Sequence, residues 1–147
     1  MARSGFGVCT GGYGGTMEAV SRGASEAGGR VLAVTARVFG RGANRWVAEE
    51  AVVETWRERL FGLIELGDAY VALPGGTGTL AEIAVVWEML NKRILTPRPF
   101  VLLGDFWRPV LGPVQTVENQ GSPWLAASQN LVQFAADPQE ACRLLHP

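Results

Sequence analysis

Histidine and lysine are almost missing from this chain of 147 residues: His146 and Lys92 are the sole examples of each. A single histidine beside the C-terminus excludes a histidine-based triad or zinc site. A single lysine leaves little room for Schiff-base or pyridoxal-phosphate chemistry. Cysteine is scarce too. Cys9 and Cys142 stand far apart and form no metal-type cluster, so two free thiols in a reducing cytoplasm are expected, with no metal. No apolar run reaches the roughly 18 residues a membrane span needs, and the N-terminus has no signal-peptide core. Excess charge of one sign is also lacking. The formal net charge is -1, which offers no basic face to nucleic acid or to a membrane.

What the chain does contain is apolar residues, arginine and glycine. Hydrophobic residues make up 48% and charged residues 18%, enough for one sizeable core, and residues 1–147 read as a single domain. The apolar surplus fits a subunit interface, so a homodimer or larger homo-oligomer is expected. The cations are nearly all arginine, in keeping with a GC-rich coding bias. Glycine occurs 19 times, well above the usual level of about 7%. The glycines concentrate at 5–15, 23–29, 40–42 and 75–78, between apolar segments.

Strands and helices alternate along the chain. Phe6–Thr10 predicts a short buried strand, followed by Gly11-Gly12-Tyr13-Gly14-Gly15 and a helix that ends at Gly28-Gly29. Val31–Thr35 is a continuous apolar run of strand length. Residues 36–45 form an Arg/Gly-rich loop, and Val47–Val53 a short edge strand. Thr55 with Glu58 predicts a capping box on a helix that ends at Gly67. Ala69–Leu73 is a strand. A helix over Thr77–Asn91 carries Leu80, Ile83, Ala84, Trp87, Met89 and Leu90, with Trp87 on the core side. Pro99–Leu103 is a strand, and the helical stretch from Asp105 is expected to be interrupted by Pro109 and Pro113. Leu131–Phe134 is the last strand, and Asp137-Pro138-Gln139-Glu140 a helix start. This pattern predicts a doubly wound α/β fold with a mainly parallel sheet flanked by helices.

In such a sheet, ligands sit beyond the carboxyl ends of the strands. Both glycine clusters fall there and each opens a helix, whose free N–H groups and dipole attract an anion. Thr77 and Thr79 add hydroxyl donors, so a phosphate is the natural guest. Neither turn matches the dinucleotide fingerprint or the P-loop, and plain tight turns are the alternative. Glu82 sits about one turn into its helix, where a carboxylate is stabilised. It could bind ribose hydroxyls or act as a general acid/base, and a solvated glutamate is the alternative.

Pro74-Gly75-Gly76-Thr77-Gly78-Thr79-Leu80-Ala81-Glu82 resembles the PGGxGTxxE motif of the LONELY GUY family, long called "lysine decarboxylase-like". Gly11-Gly12-Tyr13-Gly14-Gly15-Thr16-Met17 resembles that family's other glycine motif. The resemblance covers about residues 5–105 and implies a Rossmann-like fold, a dimer, and cytokinin-type phosphoribohydrolase chemistry. That reaction cleaves the N-glycosidic bond of a nucleoside 5′-monophosphate to base and ribose 5-phosphate. It implies Glu82 and Arg59 as catalytic residues, the first orienting water or ribose hydroxyls and the second holding Glu82 or the phosphate. Gly11, Gly12, Gly14, Gly15, Met17, Pro74, Gly75, Gly76, Thr77, Gly78 and Thr79 would hold the nucleotide. No cofactor is implied, and lysine decarboxylation is rejected.

Two departures stand out. Where the family's active enzymes carry Met-His-x-Arg-Lys, this chain has Trp56-Arg57-Glu58-Arg59-Leu60, without the His and Lys. The family's first βα unit also looks absent before residue 6; its strand would be central in a 3-2-1-4-5 sheet. Both features favour the alternative of a non-catalytic carrier for a nucleotide or a phosphorylated cofactor such as molybdenum cofactor. Of the five tryptophans, Trp56 stands nearest in sequence to Arg59 and is the candidate to approach a ligand, the rest being expected in packing.

Overall fold

The computed structural model of the chain describes residues 1–120 and 131–145; Trp124 and His146 lie outside the described residues. The chain divides into two compact units, Met1–Gly67 and Asp68–Pro147.

In the first unit a 3-10 turn over Ala2–Ser4 leads to β1 (Val8–Thr10), α1 (Thr16–Glu26), β2 (Val31–Ala36), β3 (Glu49–Val53) and α2 (Trp56–Leu66). The strands make a parallel sheet in the order β1-β2-β3, with Cys9 level with Leu32, and Leu32 level with Glu49. β2 is central, and Val31, Ala33, Val34, Thr35 and Ala36 are all buried, as its unbroken apolar run requires. Both α1 and α2 pack on β1 and β2. β3 is an edge strand and carries charge where it meets water. Glu49 takes two hydrogen bonds from Arg30 at 2.6 Å each, and charged side chains protect an open edge from further pairing.

Helix α2 begins as its sequence predicts. The Thr55 hydroxyl accepts from the Glu58 N–H at 3.1 Å, and the Glu58 carboxylate accepts from the Thr55 and Glu54 N–H groups at 2.9 and 3.0 Å. These bonds satisfy donors that the first turn of a helix leaves open.

The second unit runs β4 (Tyr70–Ala72), α3 (Thr77–Asn91), β5 (Phe100–Leu103), α4 (Arg108–Gln120), β6 (Val132–Ala135) and α5 (Pro138–Leu145). Its sheet is also parallel, in the order β4-β5-β6. The central strand again carries the core: Phe100, Val101 and Leu102 are buried. The buried stripe of α3 is Ile83, Val86, Trp87 and Leu90, an i, i+3, i+4, i+7 set. Ala84, expected on that stripe, is exposed, and Val86 takes its place. Helix α5 starts at Pro138. Asp137 caps the Glu140 N–H at 2.8 Å, while Glu140 reaches back to the Ala136 N–H at 2.7 Å.

The course of α4 also differs from expectation. Helix α4 is not interrupted by its prolines. Pro109 is the second helical residue, where an N–H has no intrahelical acceptor to lose. Pro113 removes one ladder bond, on a face where Pro109 and Pro113 are both exposed and water can serve the freed carbonyl. Parallel strands that alternate with α-helices, except between β2 and β3 where a 3-10 turn and a loop make the connection, give a Rossmann-like α/β fold.

Candidate functional site

The residues singled out by the two glycine motifs are divided between the two units. In the first unit the turn after β1 is built around three long-range contacts. Arg59, on α2, is 8% exposed although it carries a full charge. Its Nε donates to the Val34 carbonyl on β2 at 3.1 Å, which anchors the guanidinium in the fold. From there the group lies directly on Gly11. A Cβ at residue 11 would collide with it, and would also stand 3.0 Å from the Met17 sulfur. The Arg59 Nη2 and Met17 Sδ are 3.9 Å apart. Gly11, Met17 and Arg59, from a strand end and two helices, thus form one cluster, which explains why residue 11 has no side chain.

Two aromatic rings complete that cluster. The Arg59 guanidinium carbon is 5.3 Å from the centre of the Tyr13 ring and 5.9 Å from that of Phe39. These are cation–π distances, and they offset part of the cost of burying the charge. Tyr13 and Phe39 meet edge to face at 5.7 Å. The Tyr13 hydroxyl accepts from the Ala36 N–H at 3.0 Å, so the turn is tied to the end of β2. A second guanidinium, that of Arg41, lies 4.7 Å from the Tyr13 ring centre. Cys9 stands just before this turn. Burial pushes its thiol up from the usual cysteine range, and the positive charge of Arg59 opposes that rise in part.

The turn is also held from the far side by Asn44, in the loop between β2 and β3. The Asn44 side chain donates to the carbonyls of Gly12 and Tyr13 at 3.0 and 3.1 Å, and its backbone N–H donates to the Gly12 carbonyl at 2.6 Å. Gly14 and Gly15 lie beyond these anchors, exposed, at the N-terminus of α1.

In the second unit the 74–79 turn joins β4 to α3. Trp107, 3% exposed, donates its indole N–H to the Leu73 carbonyl at 3.0 Å and fixes the end of the strand. Gly75 faces Thr79 so closely that a Cβ would come within 2.9 Å of the Thr79 Cβ. The first ladder bond of α3 runs from the Leu80 N–H to the Gly76 carbonyl at 3.0 Å. The N–H groups ahead of it are therefore the open donors of a helix start. Pro74, Gly76, Thr77 and Gly78 are exposed, while Gly75, Thr79 and Glu82 are half-buried. Glu82 is the sixth residue of α3. Among the described residues no group of acidic, cysteine or histidine side chains could hold a metal ion. Trp56, the first residue of α2, is largely exposed.

Tyr13, Asn44 and Trp107 were not among the expected site residues. Each acts through a contact with sequence-distant backbone, and no local spacing announces such a contact.

A family model described as "Possible lysine decarboxylase" matches residues 17–145. The chain belongs to this family, the LONELY GUY family. Family membership is carried by relatives as well. A "Cytokinin riboside 5'-monophosphate phosphoribohydrolase" of Rhodococcoides fascians is 33% identical over 114 residues, which are 73% of this chain and 56% of the relative. A "Probable cytokinin riboside 5'-monophosphate phosphoribohydrolase" of Oryza sativa subsp. japonica is 34% identical over 88 residues, 57% of this chain and 38% of that one. The chain thus spans only about half, or less, of the length of these two relatives. The X-ray structure of TM1055, a target of the Northeast Structural Genomics Consortium, superposes with a TM-score of 0.64 at 23% identity. It covers 97% of this chain and 79% of its own, and shows the fold alone.

Proposed function

We propose that this protein hydrolyses the N-glycosidic bond of a nucleoside 5′-monophosphate, releasing the free base and ribose 5-phosphate. The observation that carries the reading is the buried Arg59 guanidinium seated on Gly11, in a chain that also keeps the whole Pro74–Glu82 motif. The names of the two relatives support the same reaction class.

In this reading the bond between C1′ and the base nitrogen breaks, and the base leaves with its bonding electrons and takes up a proton. The sugar acquires oxocarbenium character, and a water oxygen adds to C1′ as that water gives up a proton. Glu82 orients the water or the ribose hydroxyls and stabilises the positive sugar by its negative charge. Arg59 supplies a fixed guanidinium fork for the phosphate. The glycine turns and the hydroxyls of Thr77 and Thr79 supply further donors. The reaction requires no cofactor. Assembly as a homodimer or larger homo-oligomer belongs to the same proposal. It is supported by Val110, Val114 and Val117, which are exposed at helical spacing on α4. So does a location in the reducing cytoplasm, which suits the free thiols Cys9 and Cys142.

A second reading, a non-catalytic carrier of a nucleotide or phosphorylated cofactor, is favoured by Trp56-Arg57-Glu58-Arg59-Leu60, where the family's His and Lys are missing. The two separate on incubation with AMP and other nucleoside monophosphates. Release of ribose 5-phosphate, lost in Glu82→Ala while nucleotide binding persists, supports the enzyme. Tight binding with no turnover of any monophosphate selects the carrier.

A further inference from the structure

We infer that Asn44 is the positioning residue of the 11–15 turn, turning the Tyr13 and Gly14 N–H groups toward the 5′-phosphate; this rests on the reading of that turn as the phosphate site.

In a trans peptide the carbonyl of one residue and the N–H of the next point in opposite directions. The carbonyl of Gly12 shares its plane with the N–H of Tyr13, and the carbonyl of Tyr13 shares its plane with the N–H of Gly14. Asn44 Nδ2 donates to both carbonyls, at 3.0 and 3.1 Å, and the Asn44 N–H adds a 2.6 Å bond to the first. Both carbonyls are therefore held toward the β2–β3 loop, and both N–H groups are held away from it. Among the described residues, neither the Tyr13 nor the Gly14 N–H donates to an acceptor. Without the Asn44 bonds the turn could rotate a carbonyl oxygen toward the anion, because Gly12, at φ 77°, has no Cβ to restrict its backbone. A carbonyl in that place repels a phosphate, whereas an N–H binds it.

Asn44 is itself well fixed. Its Oδ1 accepts from the Trp46 N–H at 3.1 Å, and its Nδ2 is 3.4 Å from the hydroxyl of Ser21, a fully buried residue of α1. The neighbouring Ala43 N–H donates to Glu50 Oε1 at 3.0 Å, and the buried Thr35 hydroxyl donates to the same oxygen at 2.6 Å. The loop that carries Asn44 is thus fastened to β2 and β3 before it reaches the turn. An asparagine suits this position because one side chain supplies two donors and an acceptor at once.

The test is amide NMR on the wild-type protein, titrated with inorganic phosphate, ribose 5-phosphate and AMP, together with calorimetry on two variants. Asn44→Asp keeps the size and the acceptor for Trp46 but replaces the donors with an oxygen. Asn44→Gln keeps the donors. The expected result has three parts: the Tyr13 and Gly14 resonances move with each phosphorylated ligand, Asn44→Asp weakens those ligands about tenfold while adenosine affinity holds, and Asn44→Gln recovers part of the loss. In turnover the loss falls on KM more than on kcat. Phosphorylated ligands that bind while the Tyr13 and Gly14 amides stay still overturn the positioning role and leave the proposed function standing. So does unchanged affinity in Asn44→Asp. Failure of every monophosphate to bind overturns both. The wild-type titration decides even if a variant does not fold.

Discussion

The guanidinium of Arg59 occupies the space that a side chain at residue 11 would need, so Gly11 and Arg59 define one another across the first unit. Replacing Gly11 by alanine forces the cluster apart, because both the Val34 anchor and the Met17 contact hold the guanidinium in place. Overpacking of this kind costs about 1–3 kcal/mol. Gly11→Ala is therefore expected to unfold at lower urea concentration than wild type and to lose turnover. A wild-type urea midpoint in Gly11→Ala would mean that Arg59 can leave its seat freely.

Arg59 itself is expected to matter twice. Arg59→Ala removes a buried group together with its bond to Val34, a loss of about 1–3 kcal/mol in stability. Arg59→Lys retains charge but cannot reproduce the planar fork. The lysine variant should recover stability better than it recovers the release of ribose 5-phosphate. Equal recovery of both, measured by urea unfolding and by product assay, would assign Arg59 a purely structural part.

The capping box of α2 carries a pH signature. Backbone hydrogen bonds from Thr55 and Glu54, with the Thr55 side chain, hold the Glu58 carboxyl below the usual glutamate range. A carboxyl whose folded pKa is depressed stabilises the fold fully above its unfolded pKa and loses that contribution as pH falls through the folded value. Wild type should therefore exceed Glu58→Ala in thermal midpoint at neutral pH, and the gap should narrow as the solution is acidified below the ordinary glutamate pKa. A gap that stays constant would show that the N–H bonds do not depend on the charge.

Cys9 should be a slow nucleophile. Burial raises its thiol, with Arg59 opposing only in part, so the thiolate fraction near neutral pH is small. Iodoacetamide is expected to label Cys9 more slowly than it labels glutathione at pH 7.5, with a rate that climbs into more alkaline solution. Rapid labelling at pH 7.5, followed by mass spectrometry of the peptide containing Cys9, would contradict this.

Much of the fold was legible in the residues. Val31–Thr35 and Pro99–Leu103 are apolar without interruption because each lies mainly in a central strand, β2 or β5, covered on both faces. Thr55 with Glu58, and Asp137 with Pro138 and Glu140, mark helix starts because caps are local hydrogen bonds within four residues. The course of α4 was harder to read, since whether a proline breaks a helix depends on its position from the start and on whether the freed carbonyl meets water.

Family membership was determined by the sequence alone, through two glycine motifs whose order and spacing survive as text. Gly11 and Gly75 stand within those motifs, but that neither position has room for a side chain was shown only by the structure. What filled the space beside Gly11 was decided only in three dimensions: a buried arginine from 48 residues further along, held by a strand carbonyl and two aromatic rings. Asn44 was invisible for the same reason. A polar side chain in an Arg/Gly-rich loop reads as solvated until folding brings it to two carbonyls more than thirty residues away. Local chemistry is written in neighbouring letters, whereas the partner of a buried polar group is set by which elements pack together.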